Sequence, residues 1–142
     1  MKPKLLLRIA AVLMFIHAVL HTIGFNSWKT DPDPARKAVI QAMNGPRLPF
    51  MGTNRNMADY YDGFGYASTI ALALIAVSLW IVSGELGSKS ALAKKMILTL
   101  AIILAFWGID EIIYFFPFAA GITLLACLCC FWSFFGLSKQ KI

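Results

Sequence analysis

The segment Phe106-Trp107-Gly108-Ile109-Asp110-Glu111-Ile112-Ile113-Tyr114 places two adjacent carboxylates inside a run that is otherwise apolar enough to cross a membrane. A charged side chain at the bilayer centre costs about 2.5 to 3.5 kcal/mol on insertion scales, and such residues usually face the interior of a helix bundle and serve a function. Asp110 and Glu111 therefore predict a polar site between membrane helices, for which other helices supply the partners.

The composition agrees with a membrane protein. Of the 142 residues, 59% are hydrophobic and only 14% are charged, which is more apolar surface than a soluble domain of this length can bury. We predict an all-α integral membrane protein, an antiparallel bundle of four transmembrane helices that forms a single domain over residues 1–142. At 1.5 Å per residue, four runs can span a bilayer of about 30 Å: residues 5–25, 63–84, 96–116 and 118–137.

The net charge of +6 comes from Lys and Arg residues at the ends of the apolar runs, not from a concentrated basic patch, so no nucleic-acid partner is expected. If four spans alternate, these residues fall on one side of the membrane, and the positive-inside rule predicts that both termini are cytoplasmic. Arg8 interrupts the first apolar run, so this run is expected to be retained and not cleaved as a signal peptide. The residues that determine this orientation are Lys2, Lys4, Arg8, Lys89, Lys94, Lys95, Lys139 and Lys141.

The outer segment, residues 26–58, is predicted to consist of turns around one short helix. Asp33 is a typical N-cap before Pro34, and Asn44 with Gly45 supplies the end of the helix. The following apolar stretch, residues 46–51, predicts an interfacial cover over the outer mouth of the bundle, or alternatively a connector that rests on lipid headgroups.

The second helix is expected to begin before its membrane span. Asn56 can cap the helix, and Asp59 lies in its first turn, where the helix dipole favours a carboxylate. Gly63 and Gly65 are expected to allow another helix to approach closely.

His17 and His21 are four residues apart in the first span and share a helical face. Counted from the outer helix ends, Glu111 lies about 9 Å deep, His21 about 7 Å and His17 about 13 Å. Asp59 and Asp62 are expected at the outer mouth of the bundle, above these residues, and three aromatic residues lie at helical spacing from the acids. Together these side chains predict an outward-facing polar ligand pocket. Its predicted residues are His17, His21, Asp59, Asp62, Tyr66, Trp107, Asp110, Glu111 and Tyr114.

Asp110 and Glu111 are expected to meet different partners, because successive side chains on a helix diverge by about 100°. We expect one acid to pair with His21, and the other to approach Asp62 and Tyr66 on the second span.

Three kinds of site fit these residues. One is a structural clasp, in which a histidine pairs with Asp110 or Glu111 to lock two helices together. Another is a site that binds a ligand or handles protons. The third is a zinc or iron site, since histidines and carboxylates bind these metals in helical bundles, although the chain has no Glu-x-x-His pair. No metal ligand is assigned and no cofactor is identified.

Cys127, Cys129 and Cys130 include a C-x-x-C pair, as found on the fourth span of membrane thiol oxidoreductases of the vitamin K epoxide reductase type. Here the outer segment has no cysteine that could relay electrons. Together with Ala119 and Thr123, Cys127 and Cys130 instead predict a stripe of small residues along which membrane helices pack closely.

The motifs His21-Thr22-Ile23-Gly24-Phe25 and Asp59-Tyr60-Tyr61-Asp62-Gly63-Phe64-Gly65 resemble those of small uncharacterised bacterial four-span membrane proteins, which in turn resemble DoxX-like membrane proteins. The resemblance extends over the whole chain and implies a four-helix bundle in the bacterial inner membrane. Leu20 stands where that group has Gly. His17 lies outside the pattern, which favours His21 as the partner of the acids.

Only analogy of fold links such proteins to quinone-associated redox chemistry. The function expected from the pocket is binding of a small amphipathic or quinone-like molecule. One alternative is a structural or accessory subunit that associates with other membrane subunits. A further alternative is a membrane enzyme that depends on a metal or on proton transfer.

The first prediction concerns topology. Alkaline phosphatase fused to the C-terminus should be inactive, because the enzyme matures only outside the cytoplasm and the basic residues place this terminus inside. A matched fusion after Arg55 should be active. High activity of the C-terminal fusion would reverse the predicted orientation and place the pocket on the cytoplasmic side.

Overall fold

The computed structural model describes residues 2–86 and 90–139, with only the backbone described for Ser90 and Lys139. Four of its helices are long and apolar enough to cross a membrane, which confirms the predicted all-α multi-pass membrane fold. Lys89, Lys141 and the side chain of Lys139, which contribute to the predicted orientation, lie outside the described residues. The helices are α1 (Pro3–Asn26), α2 (Pro34–Met43), α3 (Met57–Gly84), α4 (Ser90–Tyr114) and α5 (Pro117–Lys139), with a 3-10 helix at Trp28–Thr30.

The short helix α2 has the predicted ends. The Asp33 carboxylate accepts a hydrogen bond from the Arg36 backbone N–H at 2.9 Å, Pro34 occupies the first turn, and the Asn44 N–H donates to the Ile40 carbonyl. Just before it, the Asp31 carboxylate accepts hydrogen bonds from the Asp33 N–H and the Arg36 guanidinium, which lower the pKa of Asp31.

Helix α3 begins at Met57, six residues before the predicted membrane span, as its cap residues indicated. The Asn56 side-chain oxygen accepts a hydrogen bond from the Asp59 N–H at 2.9 Å, and the Asp59 carboxylate accepts one from the Asn56 N–H at 3.2 Å. This reciprocal pair satisfies two backbone donors at the start of the helix.

Part of the outer segment forms a β-hairpin, so the prediction of one helix and turns alone was wrong. Strands β1 (Leu48–Phe50) and β2 (Thr53–Arg55) pair antiparallel around Met51 and Gly52. Both turn residues have positive φ angles, 46° and 80°. Such two-residue turns are usually marked by Asn-Gly or Asp-Gly, and a methionine gives no such signal.

The described residues divide into two compact units. The terminal unit combines residues 2–18 with 72–86 and 90–139, and the middle unit comprises residues 19–71. Helices α1 and α3 contribute to both.

In the terminal unit, side chains from all four long helices form one buried apolar cluster, which includes Leu7, Leu79, Ile97 and Leu104. The predicted small-residue stripe of α5 is buried, from Ala119 and Thr123 to Cys127 and Cys130. The Cys127 thiol donates to the Ala101 carbonyl at 3.3 Å, and all three cysteines are free. The stripe therefore packs against α4, as predicted.

In the middle unit, the Phe25 ring of α1 packs where Gly65 of α3 lacks a side chain. A Cβ atom at Gly65 would overlap this ring, whereas one at Gly63 would meet no atom within 4 Å among the described residues. The Phe25 ring also contacts Tyr66 edge-to-face, with centroids 5.1 Å apart. The expected close approach is thus confirmed at Gly65 and was wrong at Gly63.

The second prediction compares these two glycines. Gly65→Ala should destabilise the protein by about 1 to 3 kcal/mol, because the new methyl group overlaps the Phe25 ring. Gly63→Ala should be neutral or stabilising by up to about 1 kcal/mol, because alanine is the better helix former. Thermal unfolding in detergent measures both, and adding Phe25→Leu to Gly65→Ala should restore part of the loss. Equal midpoints for the two single variants would contradict this packing.

Candidate functional site

Glu111 of α4 lies beside His17 of α1 and Thr123 of α5, in the terminal unit. His17 Nε2 is 3.3 Å from Glu111 Oε1, and His17 Nδ1 is 3.1 Å from the Thr123 hydroxyl oxygen. The three residues are 4%, 4% and 0% exposed, respectively. A carboxylate, an imidazole and a hydroxyl thus connect three membrane helices through one buried polar cluster, here called the Glu111 cluster.

Helix periodicity explains why Glu111 is the buried acid. The buried positions of α4 follow spacings of four and three residues through Ile97, Ala101, Leu104 and Gly108, and Glu111 is the next member of this series. Such spacing keeps side chains on one side of a helix that packs against neighbours. The side chain at position 111 therefore faces the neighbouring helices.

Asp110 lies outside this series and is exposed, and within the part of the chain that the structure describes it has no hydrogen-bond or ion-pair partner. The two acids thus differ in environment, but the expectation that each would meet a partner on a different helix is met by Glu111 alone.

The expected choice of histidine was wrong, because Glu111 pairs with His17 and not with His21. The preference for His21 came from the resemblance, whose motif includes His21 and leaves His17 outside. Depths counted along the helices placed both histidines near the acids and did not choose between them.

The second oxygen of Glu111 has an unusual environment. Oε2 is buried and forms no hydrogen bond with any of the described residues, although the Trp107 and Thr123 side chains come close enough to interact with the carboxyl group. A buried polar atom without a well-formed hydrogen bond is unfavourable and in native proteins usually has a specific reason. Because one proton can reside on either Glu111 or His17, the pair can be charged or neutral, and Oε2 is free to donate or to accept.

His21 belongs to a separate cluster in the middle unit. Its Nδ1 atom is 3.1 Å from the Thr69 hydroxyl, which also lies 3.3 Å from the Thr22 hydroxyl, and its ring stacks on Phe25 with the planes 12° apart. The two motifs that carry the family resemblance therefore contact each other, through Phe25 and Gly65.

Asp62 accepts a hydrogen bond from the Trp28 indole N–H at 3.1 Å and forms an ion pair with Lys29. It therefore has partners of its own within the middle unit, and the expected approach of the second acid of α4 stays a prediction. Asp59 forms an ion pair with Arg47 at 3.5 Å, in addition to its capping role. Lys29 and Arg47 were not predicted as partners, because the fold of the loops brings them to the acids and a loop has no periodic sequence pattern.

The predicted pocket residues are thus distributed over both units. The terminal unit contains His17, Trp107, Asp110, Glu111 and Tyr114. The remaining four, His21, Asp59, Asp62 and Tyr66, belong to the middle unit.

The metal alternative gains no support from this geometry. Glu111 and His17 provide two ligand groups, and across residues 2–86 and 90–139 no three or more His, Cys, Asp or Glu side chains are grouped so that they could hold a metal ion.

Comparisons with protein-family models, with curated proteins and with solved structures find no match to this chain. The resemblance to small four-span bacterial proteins therefore rests on the two sequence motifs.

The third prediction is a double-mutant cycle on the buried pair. Glu111→Leu and His17→Leu should each destabilise the protein by about 2 kcal/mol, because each leaves a buried polar partner behind. The double variant should be more stable than either single one, because both polar groups are then removed together.

The control for this cycle is Asp110→Leu, which removes the neighbouring exposed carboxylate and should change the unfolding midpoint little. Equal and small changes in Glu111→Leu and Asp110→Leu would show that neither acid is buried in a site.

Proposed function

We propose that this multi-pass protein resides in the bacterial inner membrane and binds the polar head of a small amphipathic or quinone-like molecule at the Glu111 cluster. The observation that carries this proposal is the buried Glu111 Oε2 atom without a hydrogen-bond partner among the described residues. A ligand that forms a hydrogen bond with Oε2 would remove the free-energy cost of leaving this buried atom without a partner.

The chemistry of the cluster suits a carbonyl or a hydroxyl group. When Glu111 is protonated, Oε2 can donate a hydrogen bond to a carbonyl oxygen, and when it is ionised, Oε2 can accept one from a hydroxyl. His17, at 3.3 Å from the carboxylate, can exchange the proton that separates these two states. A quinone presents carbonyl oxygens and its quinol presents hydroxyl groups, so the two protonation states of Glu111 would suit these two forms of the ligand. The half-buried Trp107, one turn before Glu111, offers a flat apolar surface for a ring.

The depth of Glu111 also supports an amphipathic ligand. Glu111 lies three residues before the end of α4 at Tyr114, about 4.5 Å along the helix axis. Polar heads of amphiphiles occupy this region near the membrane surface, while their apolar parts remain in the hydrocarbon. With both termini in the cytoplasm, as the basic residues favour, this level belongs to the outer leaflet.

A second candidate is a structural or accessory membrane subunit in which the Glu111 cluster only locks α1, α4 and α5 together. It is favoured by one observation. Two surface grooves of about 320 and 330 Å³ among the described residues are lined by none of the nine predicted pocket residues.

The fourth prediction separates these two functions. Ubiquinone-1 and, in parallel, its quinol are titrated into the detergent-purified protein while the unfolding midpoint is recorded. Binding should raise stability in proportion to the logarithm of the ligand concentration once this exceeds the Kd, by about 2.7 kcal/mol when the ligand reaches a hundred times its Kd. The shift should disappear in Glu111→Leu, which removes both oxygens that can hydrogen-bond the ligand, and persist in Asp110→Leu, which carries the same chemical change at an exposed position.

An undiminished shift in Glu111→Leu would move the ligand away from the cluster. A wild-type midpoint that neither probe raises, together with a lower ligand-free midpoint for Glu111→Leu, would establish the structural alternative.

A further inference from the structure

A groove between α1 and α3 runs along the surface of the terminal unit and is separate from the Glu111 cluster. Its volume is about 320 Å³, at the lower end of the range for ligand pockets. Two buried alanines form its floor, and larger exposed side chains form its walls and ends. The lining residues are Ala11, Val12, Phe15, Ala76, Val77 and Trp80.

A guanidinium group lies at one end of this groove. The Arg8 guanidinium carbon is 4.9 Å from the centre of the Trp80 ring, which itself lines the groove. Arg8 is exposed, and among the described residues this ring contact is its only interaction that involves a charge or a ring. Its five N–H donors are therefore available to an anion from outside the chain.

The position of Arg8 in the membrane restricts what this anion can be. Arg8 lies five residues after the start of α1 and Trp80 four residues before the end of α3, about 7.5 and 6 Å along their helices. For helix ends that lie at the membrane surface, this depth corresponds to the headgroup region, and the groove continues from it along both helices toward the hydrocarbon. Lys4, which is exposed one turn before Arg8, adds a second positive charge toward the surface.

We propose that the α1–α3 groove binds an anionic phospholipid, with one acyl chain in the groove and the headgroup phosphate on Arg8. A guanidinium binds phosphate through two parallel hydrogen bonds, and basic groups between membrane helices are a recurrent way of holding anionic lipids. The ring of Trp80 holds the guanidinium at the end of the groove. The positive charge then lies where the lipid phosphate is expected, and the apolar groove lies where an acyl chain is expected. Because it uses none of the Glu111 cluster, this site is independent of the proposed function.

The test is native mass spectrometry of the detergent-purified full chain with dioleoyl phosphatidylglycerol and dioleoyl phosphatidylcholine, which differ only in headgroup. We expect phosphatidylglycerol to bind about five- to tenfold more tightly. Arg8→Gln should abolish this preference. Lys95→Gln removes one exposed charge from α4, away from the groove, and should leave the preference unchanged.

A second variant addresses the acyl chain. Ala76→Leu fills the floor of the groove and should weaken binding of both lipids, with folding checked by the thermal midpoint. Inorganic phosphate should neither compete with phosphatidylglycerol nor stabilise the protein, because it has no chain to occupy the groove. Equal binding of the two lipids, an Arg8→Gln variant with wild-type preference, or effective competition by phosphate would each overturn the proposal.

Discussion

A carboxyl group buried between membrane helices needs a partner within the protein, because the surrounding lipid offers none. Glu111 finds this partner in His17, and His17 in turn contacts Thr123, so that one polar cluster joins α1, α4 and α5. Helices in lipid lack the hydrophobic driving force that assembles soluble bundles, and they associate through close packing and interhelical hydrogen bonds. The cluster therefore fixes the rotation of three helices about their axes, and the small residues around it bring the helices close enough to form it.

The packing of α4 against α5 shows how sequence provides this proximity. A side chain at Gly108 would overlap Leu124, and the Cys127 thiol reaches a backbone carbonyl of α4. Larger residues at these positions would separate the helices and lengthen the distances within the Glu111 cluster. The small Cys127 side chain thus contributes to the Glu111 cluster indirectly, because it allows α4 and α5 to pack closely.

The middle unit is stabilised differently. Aromatic rings pack around Phe25, whose own ring occupies the space that Gly65 leaves by having no side chain. Near the start of α3, Asp59 and Asp62 form ion pairs with cations from the segment that precedes this helix. Ion pairs at exposed positions contribute about 0 to 1 kcal/mol each, so the ring packing is the larger contribution to the order of this unit.

The regular features of the chain were predictable from sequence, and the irregular ones were not. Runs of apolar residues gave the four long helices, and side-chain caps gave the ends of α2 and the start of α3. The burial of Glu111 in place of Asp110 was also contained in the sequence, as the next position in the spacing of inward-facing residues on α4. The partner of Glu111 depends on how far neighbouring helices are shifted along their axes, and the cations beside Asp59 and Asp62 depend on loop geometry. Neither is encoded in a periodic pattern.

An insertion at the hairpin turn can show on which side of the membrane the hairpin lies. Met51 is 88% exposed at the tip of the hairpin, and among the described residues the two strands pair with each other alone. Exposed loop tips of this kind tolerate inserted residues, because lengthening a surface loop adds little to the entropy of closing it. An epitope placed between Met51 and Gly52 would leave all four membrane helices unchanged and allow antibodies added to spheroplasts, before and after lysis, to report on which side of the inner membrane this segment lies.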